Sequence, residues 1–584
     1  MGNKYYSTER NVQILISVLK ENGIKRIVAS PGSTNVCFVG SVQQDPFFEV
    51  YSCVDERSAV YIACGMAAES GAPVVLSCTG ATASRNYYSG LTEAYYRKLP
   101  ILAVTSHQGT DRIGHLIAQN IDRRQLPKDI VKISVDIPFI HDSRDEHYAA
   151  IEINKAVIEL FRRGGGPAHI NIHTRYTPDY SVKELPACPI IRYHNSDRSF
   201  PELPKGNIAI NIGAHKHFSE IETEIIDKFC STCGSVVFCD HTSGYYGRYR
   251  LQAAVLFSQR GYKSSNNDFS LMIHIGEVTG DYTLSAVHAK EVWRVNPDGE
   301  IRDTFGNLTH VFEMDESLFF SHYSETNTSH NNSVYGSLKE EINKIRESIP
   351  DLSLSNVWIA QQTAPYFPPH SRVHLGILNS LRTWNFFDFP NTVEGYSNVG
   401  GFGIDGTVSS LIGASLVKPQ QLFYGIFGDL SFFYDMNVIG NRHVGNNVRI
   451  MIINNGKGAE FRVTTPCNAF EDDADQFMAA AGHFGNKSRD LIRHYAEDLG
   501  YEYLCATTKD DYLSVRERFL IPEITDKPMI LEVFTDSQNE VEMQERVCNA
   551  VTDTKTVTMS KMANAVRSIM GEGAVTQIKH ILGK

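Results

Sequence analysis

Residues 421–458 read QLFYGIFGDLSFFYDMNVIGNRHVGNNVRIMIINNGKG, and this stretch decides the fold. An apolar run, LFYGIF, ends in Gly428-Asp429, a helix-compatible stretch follows, and a second apolar run, VRIMII, ends in Asn454-Asn455. Asp429 and Asn455 stand twenty-six residues apart, about one strand–helix–strand crossover. For parallel strands that spacing brings both residues to the C-terminal edge of one sheet, where α/β proteins bind ligands. Either pair alone is an ordinary turn. Together they offer a carboxylate and an amide oxygen, hard donors that suit Mg²⁺ and its habit of bridging to phosphate oxygens. Gly428 lets a phosphate approach the backbone, and the amides opening the next helix, at Leu430 and Ser431, add a favourable dipole.

The same alternation extends outward in both directions. KRIVAS (25–30), PVVLSC (73–78), PILAVTS (100–106) and PAHINIH (167–173) read as strands, separated by helical patterns such as SAVYIACGMAAESG. GNIAINIG (206–213), SVVFCD and SLMIHIGEV continue the pattern, and RVHLGI and PMILEVF complete it around the opening stretch. Short apolar runs spaced by helices predict parallel sheets covered on both faces. The expected architecture is three doubly wound α/β domains over 1–180, 190–335 and 350–550, the middle one Rossmann-like, with an extension over 551–584. The proline-rich 177–190 and the polar run SETNTSHNNS (324–333) read as linkers.

Composition narrows the function classes. The 584 residues carry a formal net charge of −12, which argues against a nucleic-acid-binding surface. No apolar run approaches the roughly 18–20 residues that cross a bilayer, and MGNKYYSTERNVQ lacks the apolar segment of a signal peptide. The eleven cysteines are scattered, several within apolar runs, as in a reduced cytoplasmic protein. Cys230-Ser-Thr-Cys233 has the spacing of a zinc or redox pair, but no second pair follows it. The sequons at Asn307, Asn327 and Asn331 carry no meaning in such a compartment.

The GD…NN arrangement resembles the cofactor motif of thiamine diphosphate (ThDP) enzymes. The resemblance implies that Asp429, Asn455 and the backbone carbonyl of Lys457 hold magnesium. GDLSFxxDxN, with Leu430 where many members have glycine, is similar to the menaquinone-pathway SEPHCHK synthases. A second stretch, VDERSAVYIACGMAAESGAPVVLSCTGATASRNYYSGL, resembles the pyrimidine-binding domain of the same enzymes. There Glu56 matches the glutamate that bonds to the aminopyrimidine and promotes deprotonation of the thiazolium carbon, and Gly80 is expected against the cofactor. A carboxylate in a mostly apolar site favours the tautomer this step needs. YSNVGGFGIDGTVSSLIGAS (396–415) resembles the segment that clamps the cofactor. It implies that Ile404 props the bent cofactor while Gly400, Gly401 and Gly403 let carbonyls reach the aminopyrimidine.

The substrate positions depart from that pattern. SEPHCHK synthases line the site with arginines, which grip carboxylates bidentately. Their PGSRS is PGSTN here, with Thr34 for Arg; TADRP is TSHQG, with Gln108 for Arg; SNRG is SNVG, with Val399 for Arg. Arg382 alone matches a family arginine. Isochorismate is therefore not the expected acceptor. Ser33, His107, Gln108, His115, Gln119 and Asn120 are the remaining polar groups expected near the thiazolium, with Asn120 at a position facing the reacting carbon and His115 as a candidate acid/base.

The resemblance thus implies a ThDP- and Mg²⁺-dependent enzyme that decarboxylates a 2-oxo acid and passes the acyl-anion equivalent to an acceptor. Simple decarboxylation to an aldehyde is the alternative, and a non-catalytic paralogue is the alternative of another class. The resemblance also implies a homodimer or homotetramer in which Glu56 and Asp429 of one active site come from different subunits.

Overall fold

The computed structural model describes residues 5–188, 190–326, 333–458, 478–482 and 487–552. The chain divides into two compact units, Met1–Phe200 with Asn296–Met314, and Pro201–Val295 with Asp315–Lys584.

The first unit is built on six strands: β1 (Arg26–Ala29), β2 (Glu49–Ser52), β3 (Val74–Cys78), β4 (Ile101–His107), β5 (Ser134–Ile137) and β6 (Ala168–His173). They pair in parallel in the order β2-β1-β3-β4-β6-β5. The central strands are buried because both faces are covered, and they are mostly apolar, with polar residues such as Thr105, Ser106, His107, His169, Asn171 and His173 in β4 and β6. Val75 and Leu102 pack with the helices Arg10–Glu21 and Ser143–Glu159, while Val74, Leu76 and Ala103 pack with Glu56–Ser70 and Tyr88–Arg97. This unit also holds the parallel pair β7 (Ile191–His194) and β13 (Leu308–Glu313).

The second unit carries two parallel arrays. One runs β10-β9-β8-β11-β12, from β8 (Ile208–Ile212), β9 (Val236–Cys239), β10 (Arg250–Leu251), β11 (Asp268–Ile275) and β12 (His288–Val295). The other runs β15-β14-β16-β17-β19-β18, from β14 (Arg372–Leu375), β15 (Glu394–Tyr396), β16 (Phe423–Gly428), β17 (Val448–Asn454), β18 (Glu502–Ala506) and β19 (Met529–Phe534).

The three-sheet parallel α/β architecture agrees with the sequence reading, and every strand read from an apolar run is present. The sequence pattern names no strand at β2, β5, β7, β10, β12, β13, β15 or β18. Of these, β2, β5, β10, β15 and β18 are short edge strands and mostly only partly buried, so their apolar signal is weak, while β12 and β13 mix charged and polar residues into their runs. The linker expected over 177–190 is tied down: Tyr5 and Tyr6 N–H donate to the Tyr180 and Val182 carbonyls at 2.8 and 2.9 Å. Asn327, Asn331 and the extension beyond residue 552 lie outside the described residues.

In each terminal sheet the order reverses beside one strand, and the loops leaving the two strands at that switch bound a crevice. In the first unit these loops follow β1 and β3 and touch at Gly32, where a Cβ would stand 1.8 Å from Thr79 Cγ2. Gly32→Ala should therefore destabilise the first unit by about 1–3 kcal/mol, measured by denaturant unfolding. Thr79→Ala in the same chain should restore most of that loss; an unchanged midpoint in the single variant would contradict the packing.

Candidate active site

The loops after β14, β16 and β17 enclose a cavity of about 210 Å³ at the switch point of the last sheet. Gly428 pairs with Ile453 in the β16–β17 register, so Asp429 and Asn455 leave adjacent strands at the same edge. Gly428, Asp429, Leu430, Ser431, Asn455, Lys457 and Ile404 all line this one cavity. A Cβ added to Gly428 would meet nothing within 4 Å, so that edge is open to a ligand.

The two asparagines divide their tasks. Asn454 turns inward, its Nδ2 donating to Glu532 Oε1 at 2.6 Å, and Tyr503 OH braces the same carboxyl at 2.7 Å. Asn455 faces the cavity, its Oδ1 accepting the Lys457 N–H at 3.2 Å. Ser431 Oγ is a tether: it sits 2.7 Å from Thr407 Oγ1 and donates to the Ile404 carbonyl at 3.1 Å, fixing the loop that carries Ile404.

Asp429 is 3% exposed. Burial pushes its carboxyl up to about 7, against the backbone amides of Asp429, Leu430 and Gly456, which draw it down. Among the described residues no lysine or arginine forms a salt bridge with it. A buried carboxylate beside an amide oxygen and a backbone carbonyl, without a competing cation, fits Mg²⁺.

The clamp segment is only partly at this cavity. Ile404 lines it, whereas Val399 is buried against Gly280, where a Cβ would come within 3.2 Å of Val399 Cγ1. Gly400 and Gly401 have open space on their Cβ side. A Cβ on Gly403 would stand 2.7 Å from Asp405 Oδ2. Arg382 does not line the cavity; its guanidinium lies 4.7 Å from the Tyr282 ring centroid.

In the first unit, Glu56 opens the helix Glu56–Ser70. Asp55 caps it by accepting the Arg57 N–H at 3.0 Å, and Gly71 ends it in the left-handed region. Glu56 is half-buried, with Asn86 Nδ2 3.5 Å from Oε2. Ser33 is exposed in the loop after β1, while Thr34 is buried and its carbonyl accepts the Thr174 hydroxyl at 2.7 Å. Gln108 bonds to Tyr176 and Arg112, so a guanidinium stands beside the glutamine although the matching position has lost its arginine. His115 and Gln119 are exposed. Asn120 Nδ2 donates to the Ala118 carbonyl at 2.9 Å.

Apart from His107, nothing in the sequence pattern singles out the polar network at the ends of β4, β5 and β6. His107 and His173 are register partners, and Asp136 accepts from His173 Nε2 at 3.1 Å and from Asn171 Nδ2 at 2.5 Å. Arg123, 2% exposed, donates from Nε to Asn171 Oδ1 at 3.0 Å. A Cβ on Gly80 would press within 2.5 Å of Arg123 Nη1, so Gly80 makes room for this guanidinium. His107, Asp136 and His173 present ligand atoms within 4.8 Å of one another. They do not form a metal site. The Gly109 N–H donates to His107 Nδ1 at 3.1 Å, which puts the neutral ring's proton on Nε2 and removes the lone pair a metal would need. Asp136 is also the counter-charge for Arg123, through Asn171. The Cys230 and Cys233 thiols are buried in a helix, and burial raises both, Cys233 to about 12. That leaves them protonated and inert.

Residues 10–126 match the family described as thiamine pyrophosphate enzyme, N-terminal TPP binding domain. The chain is related to the thiamine diphosphate enzymes. It is 29% identical over 555 residues to the 2-succinyl-5-enolpyruvyl-6-hydroxy-3-cyclohexene-1-carboxylate synthase of Bacteroides fragilis, spanning 92% of this chain and 98% of that one. The synthases of the same name from Phocaeicola vulgatus and Bacteroides thetaiotaomicron are each 28% identical, over 92% of this chain and 97% of theirs. The reading of the chain as a ThDP-dependent enzyme of 2-oxo acid chemistry stands on these matches. Among the described residues no helix is long and apolar enough to cross a membrane.

The raised Asp429 carboxyl sets a pH dependence. Without a cation its protonated form adds stability that is complete below the usual carboxylate value of 3.8 and is lost as pH rises through about 7. A cation needs the ionised form, so Mg²⁺ binding should release a proton and weaken below pH 7 by up to about tenfold per unit. Thermal unfolding with and without Mg²⁺ and ThDP at pH 6 and pH 8 should show the larger stabilisation at pH 8. Asp429→Asn should remove that difference; an equal shift in the variant would refute the assignment.

Proposed function

We propose that this chain is a ThDP- and Mg²⁺-dependent enzyme that decarboxylates a 2-oxo acid and transfers the acyl-anion equivalent to an acceptor. The observation that carries the reading is the convergence of Asp429, Asn455, Lys457, Gly428 and Ile404 on one cavity at a switch point of a parallel sheet. Asp429, Asn455 and the Lys457 carbonyl would hold the magnesium, and Gly428 with the amides of Leu430 and Ser431 would take the diphosphate. ThDP bound there supplies a carbon nucleophile and an electron sink for the loss of CO₂.

The chain's own groups then have separate tasks. Glu56, kept half-buried at a capped helix start, would hold the proton exchanged with the aminopyrimidine. Ser33, His107, Gln108, His115 and Asn120 would supply polar contacts around the reacting carbon. Arg382, steadied over Tyr282, would receive the donor's carboxylate, and Arg112 beside Gln108 is a second cation within reach of that loop. The named relatives are called synthases, which favours transfer to an acceptor over simple decarboxylation. With few substrate arginines, pyruvate is the first donor to try. The domain limits 1–180, 190–335 and 350–550 and a cytoplasmic location belong to the same reading.

We also infer a homodimer or homotetramer with active sites completed by a second copy. Val54, Tyr61 and Ile62, flanking and within the Glu56 helix, are 80%, 48% and 43% exposed, an apolar surface that a partner would cover.

The deciding measurement is CO₂ release from a panel of 2-oxo acids with ThDP and Mg²⁺, with and without aldehyde or ketone acceptors. Release that requires an acceptor supports the carboligase; release without one replaces it by a decarboxylase. Glu56→Gln should lower turnover at least about 100-fold while the thermal shift caused by ThDP persists. Mixing inactive Glu56→Gln and Asp429→Ala chains under conditions of subunit exchange should restore part of the activity. No recovery despite verified exchange would rule out shared sites.

A further inference from the structure

A second cavity, of about 420 Å³, lies in the second unit and shares no lining residue with the cofactor cavity. Its walls come from the stretch Tyr246–Gln252, which holds β10, from the helix Ser333–Glu347, and from Asp388 and Asn391. Arg248, Arg250, Lys339 and Arg346 line it against a single carboxylate, Asp388, in a chain whose formal net charge is −12.

The wall is built rather than incidental. Asp227 receives the Arg248 N–H at 3.1 Å on Oδ1, and the Arg248 carbonyl accepts the Tyr335 hydroxyl at 2.8 Å, so the backbone under this arginine is held at both ends. A Cβ on Gly247 would lie 2.3 Å from Tyr245 OH, and only glycine allows that close turn. Arg250 is aligned over the Tyr246 ring at 4.9 Å, and Lys339 Nζ lies 3.3 Å from Tyr335 OH. Arg346 donates from Nε to the Phe386 carbonyl at 3.0 Å and from Nη1 to Asp388 at 2.5 Å. Its Nη2 is buried without a hydrogen-bond partner among the described residues.

Asp388 can neutralise only one of these cations. Among the described residues neither Arg248 nor Lys339 makes a salt bridge. Gathering like charges around a concave pocket is unfavourable unless an anion offsets it. The volume suits a small molecule, and guanidinium, ammonium and amide groups are the donors that recognise carboxylate or phosphate oxygens.

We propose that this cavity binds a small organic polyanion carrying two or three carboxylate or phosphate groups. The site is independent of the catalytic reading, because a chain with no turnover would still present it.

The test uses the full chain saturated with ThDP and Mg²⁺, so that the diphosphate cavity is filled. Tricarballylate and 3-phosphoglycerate, the carboxylate and phosphate probes, are titrated calorimetrically at constant ionic strength against acetate as control. At least one should bind at one site per chain, while acetate does not. Arg248→Gln with Lys339→Gln, both at exposed positions, should weaken that binding at least about tenfold and leave ThDP affinity unchanged. Asn391→Asp, which adds a carboxylate to the wall, should weaken it in the same direction and serves if the double variant folds poorly. Neither probe binding better than acetate, or variants binding as the parent does, would overturn the proposal.

Discussion

One buried carboxylate organises the last sheet and the chemistry expected of it. Asp429 is almost wholly removed from water, no basic side chain among the described residues forms a salt bridge with it, and only backbone amides offset its charge. A carboxyl in that setting is either protonated or bound to a cation. The fold holds it there with two strands that are apolar almost to their ends. The Asn454–Glu532–Tyr503 brace secures one side and the Ser431–Thr407–Ile404 tether the other. Asn454, Glu532, Tyr503 and Thr407, which do not line the cavity, thus back groups that do, which is how a site keeps its geometry before a ligand arrives.

The first unit treats buried charge in the opposite way. Arg123, Asn171, Asp136 and His173 compensate one another inside the protein, so that network is a rigid wall with no charge left for a ligand. Removing one member of such a set would strand another. Glu56 and Ser33, two of the polar groups proposed for chemistry, sit instead at the start of a helix and in the loop after β1, on a parallel scaffold.

The substrate positions proposed for this chain follow the same division. Of the three positions without an arginine, Thr34 and Val399 point into the protein, so arginine there would demand a different loop, not merely a different side chain. Gln108 is approached by Arg112 from four residues along the chain. On the proposed function, cationic groups would thus be relocated as well as lost, with the change concentrated in loops, which tolerate it better than the strands beneath them.

The sequence by itself determined the parallel α/β architecture, because strands buried on both faces must be mostly apolar and the alternation with helices repeats along the chain. It also determined the meeting of Asp429 with Asn455, since a crossover of that length between adjacent parallel strands ends at one edge. The short edge strands β2, β5 and β18, half-exposed, leave no comparable pattern. What only the tertiary structure decided was the direction of individual side chains. Gly80 makes room for Arg123, Ser431 tethers Ile404, Val399 packs against Gly280, and four cations meet around one carboxylate in the middle of the chain. Those placements join residues tens to hundreds of positions apart, and local periodicity carries no record of contacts set by long-range packing.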